Sequence, residues 1–361
     1  MSKMKHDSIM WTYMAQEEAV LRRLLADPDI GAVAAALPPS LESICFVAHG
    51  SSYNAAVSTA DLIARAAGLR VQVFTPANFL YNSAGALGRG PQKVLVVLIS
   101  QTGTSSGALE ALAEAQRLGF ATLGVTDTEQ SPMAVRPDHV LFLRCGEEDS
   151  NAKTKGYSAT LLALMLLGLR LGRARGSLGE AEEQSIFREL AGQVEELALV
   201  QERVLRWCES RRFGIALRDF YILGSGMNFG TALEGQLKLM ETACIPTMFN
   251  DIGEFSHGMH RSITENSTVV LLRASHPLAA LTEKTFRYLG GITQNALMLD
   301  AAGDMPEEPD RILLPTYPLT QSLLLFTRAI QVLSVYGPEE QGFDPNRDAH
   351  NDFTQVVHTR V

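Results

Sequence analysis

Hydrophobic and polar positions along the chain predict strands and helices in strict alternation. Short apolar runs end in small polar residues, and a segment with apolar positions at helical spacing follows most of them. In the first half, strands are predicted near residues 44–48, 71–74, 93–100, 120–127 and 138–146. The run at 93–100 is almost continuously apolar, which is typical of a central parallel strand covered on both faces.

The pattern then restarts in the second half. Strands are predicted to begin at Phe220, Ser267, Asn295 and Asp310. Strand, polar turn and helix follow one another as they do in the first half. We therefore predict an α/β fold with two doubly wound parallel sheets in a flavodoxin-like arrangement, each with five strands and flanked by helices.

The remaining segments frame these two sheets. A packing helix is predicted within residues 1–35, an amphipathic connecting helix within 176–210, and an irregular polar tail at 338–361. The two sheet domains are expected at 36–175 and 211–337. Largely apolar helices are predicted at 157–172 and 320–337, and the first of these must lie mostly buried.

Composition narrows the class of protein. The formal net charge of −9 and the lack of Lys/Arg-rich runs argue against a nucleic-acid-binding protein. The N-terminus has no signal-peptide core, and no apolar stretch is long enough to cross a membrane, so we expect a soluble cytoplasmic protein. The four cysteines form no C-x-x-C pair and are expected to be free, buried thiols.

The segment Ser100–Ser106 (SQTGTSS) follows the most apolar strand and precedes a helix. Backbone N–H groups at a helix N-terminus bind anions, Gly103 permits close approach, and several hydroxyls with no local Lys or Arg suit a phosphate monoester. The alternative is an ordinary helix cap rich in Ser and Thr. This segment alone does not separate the two interpretations.

Two more strand ends carry similar chemistry. His49–Asn54 (HGSSYN) follows the first strand, and Ser150–Ser158 (SNAKTKGYS) brings two lysines to the start of a helix. Ligands of doubly wound sheets bind at the carboxyl ends of the strands. Three convergent polar strand ends therefore favour an anion site over three separate caps.

The helix predicted at 231–244 has a charged stripe of Glu234, Lys238 and Glu241 at helical spacing. A narrow apolar stripe on the same helix consists of Leu233, Leu237, Met240 and Cys244. The commonest meaning of the charged stripe is a solvated Glu–Lys ladder, and spacing alone favours it. The functional alternative is a carboxylate base with a lysine beside it, lining a cleft.

The segment GEFSHGMHRS contains Glu254, His257 and His260. It does not match H-E-x-x-H, and the glycines Gly253 and Gly258 indicate a loop, so a metal site is disfavoured and no metal is expected. A single loop histidine acting as a proton shuttle is better supported, because the unperturbed histidine pKa lies near neutrality.

Five segments together resemble the tandem sugar isomerase (SIS) family: GSSYNA, ISQTGTS, KTKGYS, ALEGQLKLMET and GEFSHG. The resemblance covers residue 40 to the C-terminus and is greatest to the isomerase half of glucosamine-6-phosphate synthase and to fructosamine-6-phosphate deglycases. It implies that the domain at 36–175 binds a phosphosugar, that the domain at 211–337 supplies the catalytic Glu and His, and that the tail closes the active site.

The resemblance also implies residue roles. The sugar phosphate would be held by Ser52, Ser100, Gln101, Thr102 and Ser105. Glu241 would move a proton between C1 and C2 of the open-chain sugar, assisted by Lys238 and by His257 from the neighbouring subunit of a homodimer. Further substrate contacts are expected from Gly50, Ser51, Asn151, Lys153, Glu234, Arg347 and His350. No cofactor, nucleic acid or membrane partner is implied.

Departures from the synthase pattern guide the choice of reaction. The synthase carries a Schiff-base lysine in its tail, but no lysine follows Lys284 here, and Met1 is followed by Ser2 rather than by a glutaminase cysteine. The resemblance therefore favours a deglycase that cleaves a 6-phosphorylated fructosamine to glucose 6-phosphate and an amine. The alternatives are an amino-sugar-phosphate isomerase or deaminase that uses the same Glu241, and a non-catalytic sugar-phosphate sensor.

Overall fold

The computed structural model describes residues 7–87, 90–215 and 217–357. These residues form two compact units. The N-terminal sheet unit comprises the described parts of Ala19–Glu148, Lys155–Phe187 and Asp348–Val361. The C-terminal sheet unit comprises the described parts of Met1–Glu18, Asp149–Thr154 and Arg188–Arg347.

The N-terminal sheet unit contains a five-stranded parallel sheet. Its strands are β1 (Ser43–Ala48), β2 (Arg70–Phe74), β3 (Val94–Ile99), β4 (Ala121–Thr126) and β5 (His139–Phe142). Their order is β2-β1-β3-β4-β5, and β1 pairs with β3 from Ser43↔Val94 to Ala48↔Ile99. Every residue of β1 and β3 is buried, as expected for central strands covered by helices on both faces.

The C-terminal sheet unit repeats this topology. Its strands are β6 (Phe220–Gly224), β7 (Thr247–Asp251), β8 (Thr268–Arg273), β9 (Ala296–Asp300) and β10 (Arg311–Leu313). Their order, β7-β6-β8-β9-β10, is the same as that of the first sheet when both are counted in chain order. Two parallel five-stranded sheets flanked by helices confirm the predicted fold class.

The helices lie before, between and after the strands. The helices up to residue 175 are α1 (Ile9–Leu25), α2 (Asp29–Ala36), α3 (Gly50–Ala67), α4 (Pro76–Asn78), α5 (Ala84–Leu87), α6 (Ser106–Arg117), α7 (Pro132–Val135) and α8 (Lys155–Arg175). The others are α9 (Glu180–Glu195), α10 (Leu197–Arg211), α11 (Met227–Ala243), α12 (Ala279–Leu289), α13 (Leu323–Glu340) and α14 (Phe353–Val356). Helix α8 is buried over most of its length, as its composition predicted.

Several boundaries differ from the sequence-based expectation. The connecting segment forms two helices rather than one, because the chain bends at Glu196 (ψ 3°), whose carboxylate accepts a hydrogen bond from the Tyr317 hydroxyl at 2.7 Å. Helix α13 continues through Pro338 instead of ending at Gly337. Strand β7 was not recognised; it is an edge strand that pairs only with β6 among the described strands, and four of its five residues are half-buried.

The cysteines are free, and three of them are buried, namely Cys45, Cys145 and Cys208. The expectation of a buried thiol is wrong for Cys244, which is exposed just beyond the end of α11 in a left-handed conformation (φ 56°). Within the described residues, no helix is both long and apolar enough to cross a bilayer.

Candidate active site

The loop Ser100–Ser105 after β3, called here the serine-rich loop, is compact and can form only with glycine at position 103. Ser100 is buried, and its Oγ accepts a hydrogen bond from the Ser105 N–H at 3.4 Å. Gly103 has φ 71°, and a Cβ there would lie 1.9 Å from Ser131 Oγ. Both the positive φ and the lack of space exclude a side chain, so Gly103 is required for the loop to pack against the segment after β4.

The first turn of α6 is not capped by the residue that begins it. Ser105 stands at the N-cap position, but its side chain makes no capping hydrogen bond. The Thr102 and Thr104 hydroxyls lie 3.1 Å apart and hydrogen bond to each other. The structure therefore does not show the ordinary side-chain cap at Ser105, and a helix N-terminus of this kind can bind an anion.

A second helix N-terminus flanks the same point of the sheet. Because β1 and β3 are neighbours, the start of α3 follows the strand beside the serine-rich loop. Gly50 has φ 55°, and His49 before it provides no side-chain cap for α3. A Cβ on Gly107 of α6 would lie 2.8 Å from His49 Cε1, so the imidazole packs against the first turn of α6. Ser51 and Ser52 are half-buried in the first turn of α3.

Gln101 ties the loop to the start of α8. Its backbone carbonyl accepts hydrogen bonds from the Asp127 N–H at 2.9 Å and from Thr126 Oγ1 at 3.1 Å. Its carboxamide packs on Gly156, where a Cβ would lie 2.3 Å from the Gln101 side chain. The structure thus brings together the predicted phosphate residues Ser52, Ser100, Gln101, Thr102 and Ser105 within the N-terminal sheet unit.

The charged stripe of α11 is buried. Lys238 Nζ lies 2.6 Å from Glu234 Oε1, and the two side chains are 0% and 2% exposed. The solvated ladder that spacing favoured is therefore wrong. The apolar stripe is the more accessible one: Leu233 and Leu237 are half-buried and Met240 is 47% exposed. Spacing shows which residues share a face of a helix, but not which face the rest of the fold covers.

Glu241 on the same helix has a raised pKa. Its side chain is half-buried, and its Oε2 is enclosed and makes no hydrogen bond within the described residues. Burial raises the pKa of Glu241 from 4.5 to about 7, with Glu234 also raising it and the Lys238 and Lys153 ammonium groups lowering it. At neutral pH such a carboxyl can both take and return a proton.

One residue of the predicted site, Asn151, contacts the C-terminal tail, and another, Arg347, lies in that tail. The Asn151 N–H donates to Asn346 Oδ1 at 2.6 Å, and Asn151 Nδ2 donates to the Arg347 carbonyl at 3.1 Å. The Arg347 guanidinium donates to the carbonyls of Thr242 and Ala243 at the end of α11. Asn346 was not among the predicted residues, and no local sequence signal singles it out.

Among the described residues, neither predicted histidine, His257 or His350, makes a side-chain hydrogen bond to the groups described above. His257 is exposed at the end of the short helical turn Glu254–His257, and within the described residues its side chain makes no hydrogen bond. His350 is exposed in the N-terminal sheet unit. Glu254–His257 and Met259–Ser262 form two short turns of helix where a loop was expected.

In each sheet, the point where the first strand ends and the next helix begins is called here the switch point: the start of α3 in the first sheet and the start of α11 in the second. At the second switch point, the space is filled by the chain itself. Gly226 precedes α11 with φ 60°, as Gly50 begins α3. The Met227 N–H donates to Gln321 Oε1 at 3.1 Å, and Asn228 Nδ2 donates to the Gln321 carbonyl at 2.9 Å. A Cβ on Gly226 would lie 2.5 Å from Gln321 Oε1.

Comparisons with known proteins identify the first sheet domain. Residues 40–170 match the SIS domain family. The glutamine–fructose-6-phosphate aminotransferase (isomerizing) of Thermus thermophilus is 38% identical over 189 residues, which cover 52% of this chain and 31% of that protein. The enzyme of the same name from Clostridium perfringens is 28% identical over 320 residues, covering 85% of this chain and 51% of that protein.

The fold extends the similarity to the second sheet. The C-terminal domain of glucosamine-fructose-6-phosphate aminotransferase from Francisella tularensis superimposes with a TM-score of 0.84 at 19% identity, covering 96% of this chain and 100% of that domain. The chain spans about half or less of the length of the two curated relatives named above. Residues 40–170 thus match the SIS domain family, and the two-sheet fold is shared with that aminotransferase domain, which confirms the resemblance to the SIS family and to the isomerase half of the synthase.

Proposed function

We propose that the chain is an enzyme that transfers a proton between C1 and C2 of an open-chain ketose or ketosamine 6-phosphate. The observation that carries this proposal is Glu241, whose carboxyl group is half-buried beside two lysines and has a pKa of about 7. A general base works best when its pKa lies near the operating pH. A sugar-phosphate sensor has no need of such a group.

The phosphate would be bound in the N-terminal sheet unit. The N-termini of α3 and α6, with the hydroxyls of Ser52, Thr102 and Ser105, would bind the phosphate. These groups suit a dianion because they offer N–H and O–H donors at the positive ends of two helix dipoles. Glu241 would act on the carbon atoms, and the Lys153 and Lys238 ammonium groups would stabilise negative charge that develops on O2.

Within this class, we propose a deglycase that acts on a 6-phosphorylated fructosamine. Glu241 takes a proton from C1, and O2 gains a proton to give an enaminol. Glu241 then returns its proton to C2 while the nitrogen loses its own, which leaves the imine of glucose 6-phosphate. Water adds to this imine and releases the aldehyde sugar and the free amine.

The choice of a deglycase over an ammonia-fed synthesis is supported by the sequence of the tail. Residues 338–361 contain no lysine, the residue type that would form a Schiff base with the sugar. The aminotransferase relatives are named for fructose 6-phosphate and for isomerisation. The proton transfer proposed here is the step that isomerisation and deglycation have in common.

An activity screen on three substrate types tests the proposal. Purified protein is incubated with fructosamine 6-phosphates of different amines, with glucosamine 6-phosphate, and with fructose 6-phosphate, and glucose 6-phosphate is measured with a coupled dehydrogenase. In deuterated water, substrate recovered from the reaction should also carry deuterium at C1. We expect glucose 6-phosphate from the fructosamines, with none from the Glu241→Gln variant. If neither product nor deuterium exchange appears with any substrate, the assignment as an enzyme is wrong.

We further propose a homodimer in which His257 of one copy assists ring opening at the site of the other. The exposure of His257 and its lack of a hydrogen bond within the described residues support this role. Glu241→Gln and His257→Ala chains are mixed and then refolded together. About half of the resulting dimers contain one chain of each kind, and each such dimer has one intact site out of two. About a quarter of wild-type activity should therefore return. No recovery would show that His257 acts within its own chain or not at all.

A further inference from the structure

The end of helix α11 lacks the usual stabilising motif. The last carbonyls of a helix have no partner within the helix, and a glycine in a left-handed conformation commonly closes the helix. Here Cys244 takes the left-handed conformation (φ 56°), and no capping bond from its backbone N–H is seen in the part of the chain that the structure describes. The Arg347 guanidinium supplies the missing donors, at 3.1 Å to the Thr242 carbonyl and 3.2 Å to the Ala243 carbonyl.

Arg347 is itself held in place. Its guanidinium lies 4.7 Å from the centre of the Phe343 ring, which supports a cation–π contact. A positive charge at a helix C-terminus also interacts favourably with the helix dipole. The tail is thus fixed to α11 one residue beyond Glu241, rather than being a loose end of the chain.

Arg347 and its neighbour Asn346 hold the segment that carries Lys153. Asn346 Oδ1 accepts from the Asn151 N–H at 2.6 Å, and the carbonyls of Asn346 and Arg347 accept from Asn151 Nδ2 at 3.3 and 3.1 Å. Lys153 lies two residues after Asn151, and all of these residues belong to the C-terminal sheet unit. A continuous set of contacts therefore runs from the Lys153 segment through the tail to the end of α11.

We propose that Asn346 and Arg347 are positioning residues, which tie the Lys153 segment to the end of α11 and hold its ammonium group close to the Glu241 carboxylate. The charged groups that act on Glu241 are Glu234 and Lys238 from its own helix and Lys153 from this segment. Glu234 and Lys238 are paired with each other. Lys153 is therefore the charge whose position the tail controls.

The test follows the titration of Glu241 directly. Chains labelled with 13C at the glutamate carboxyl are titrated by NMR from pH 5 to 9, and the Glu241 signal is assigned by its loss in Glu241→Gln. An opposite charge close to a carboxylate lowers its pKa. Arg347→Ala should therefore raise the Glu241 midpoint by about one pH unit, Lys153→Met should do the same, and the double variant should shift no further. Arg206→Ala, an exposed arginine of α10 that pairs with Glu202, should leave the midpoint unchanged.

Two variants separate positioning from other effects of Arg347. Asn346→Ala removes no charge and should still raise the midpoint, whereas Arg347→Lys should restore part of the wild-type value. Additive shifts in the Arg347→Ala/Lys153→Met chain would mean that Arg347 acts by its own charge and would overturn the proposal. An unchanged Glu241 midpoint in Asn346→Ala would overturn the proposal too. This second test remains decisive even if the Arg347→Ala chain does not fold.

The inference rests on the proposed function only for its kinetic consequence. If Glu241 is the catalytic base, the acidic limb of kcat against pH should move upwards with the NMR midpoint in Arg347→Ala, whereas a purely structural defect would lower kcat equally at every pH. The NMR titration needs no substrate. A normal shift in a chain without activity would therefore contradict the proposed function and not the positioning role.

Discussion

Glu241 should make the stability of the C-terminal sheet unit depend on pH. Burial raises its pKa to about 7 in the folded chain, whereas the ordinary value of 4.5 applies in the unfolded chain. Because the folded state binds this proton more tightly, it holds more protons than the unfolded state between these two values. Stability therefore falls as the pH rises through this range and is constant above it.

The magnitude follows from the two values. A difference of about 2.5 pH units between 7 and 4.5 corresponds to about 3 kcal/mol at 1.36 kcal/mol per unit. Some of this loss has already occurred at pH 5, so about 2–3 kcal/mol remains between pH 5 and pH 8. In Glu241→Gln the group cannot ionise. The free energy of unfolding of this variant relative to wild type should therefore rise by about 2–3 kcal/mol between pH 5 and pH 8.

Urea unfolding followed by tryptophan fluorescence suits this measurement. Both tryptophans, Trp11 and Trp207, belong to the C-terminal sheet unit, so their emission reports on the unit that contains Glu241. Glu254→Gln provides a matched control, since Glu254 is an exposed glutamate of the same unit. If the advantage of Glu241→Gln grows by less than about 1 kcal/mol between the two pH values, burial does not shift Glu241 as described.

Three further changes test other parts of the structure. Thr102→Val with Ser105→Ala should raise KM for a phosphorylated substrate about 10- to 100-fold in steady-state assays, because hydrogen bonds to a charged group are lost. Lys238→Met should destabilise the C-terminal sheet unit by about 3–5 kcal/mol in the fluorescence assay, because it leaves Glu234 buried without its partner, and Glu234→Gln added to it should recover part of the loss. Gly103→Ala should lower the melting temperature by several degrees in circular dichroism, because a Cβ there would lie 1.9 Å from Ser131 Oγ.

Each of these results has a contrary outcome. An unchanged KM would remove the phosphate from the serine-rich loop. Equal stability of the single and double Lys238 variants would show that the ion pair is not coupled. A Gly103→Ala chain that melts with wild type would mean that the loop can relax without cost.

Much of the fold follows from local pattern. Every strand of the first sheet and four of the second were located, because buried parallel strands such as β3 are nearly continuous apolar runs. Strand β7 was not located, since Thr247–Asp251 lies at the sheet edge, and its half-buried residues do not form an apolar run. The break at Glu196 was also missed, since the segment has no Gly or Pro there, and the Tyr317 hydroxyl that contacts the Glu196 carboxylate is distant in sequence.

The site was predictable only as far as sequence neighbours define it. The segment Ser100–Ser105 could be recognised because a single loop holds its groups together. The burial of Glu234 and Lys238 could not, because helical spacing is the same for a solvated stripe and a buried one. Asn346 and Asn151 lie 195 residues apart in sequence, and both are asparagines outside any recognisable motif. No sequence pattern therefore predicts their contact.

The Gln321 carboxamide at the second switch point changes what a mutational scan of this chain would reveal. At both switch points a glycine has a positive φ, 55° at Gly50 and 60° at Gly226, so a side chain at either position would strain the backbone. At Gly226 a Cβ would also lie 2.5 Å from Gln321 Oε1, the atom that accepts a hydrogen bond from the Met227 N–H. A scan would therefore find heat sensitivity at Gly226 from two causes, the strained backbone and the displaced Gln321 carboxamide.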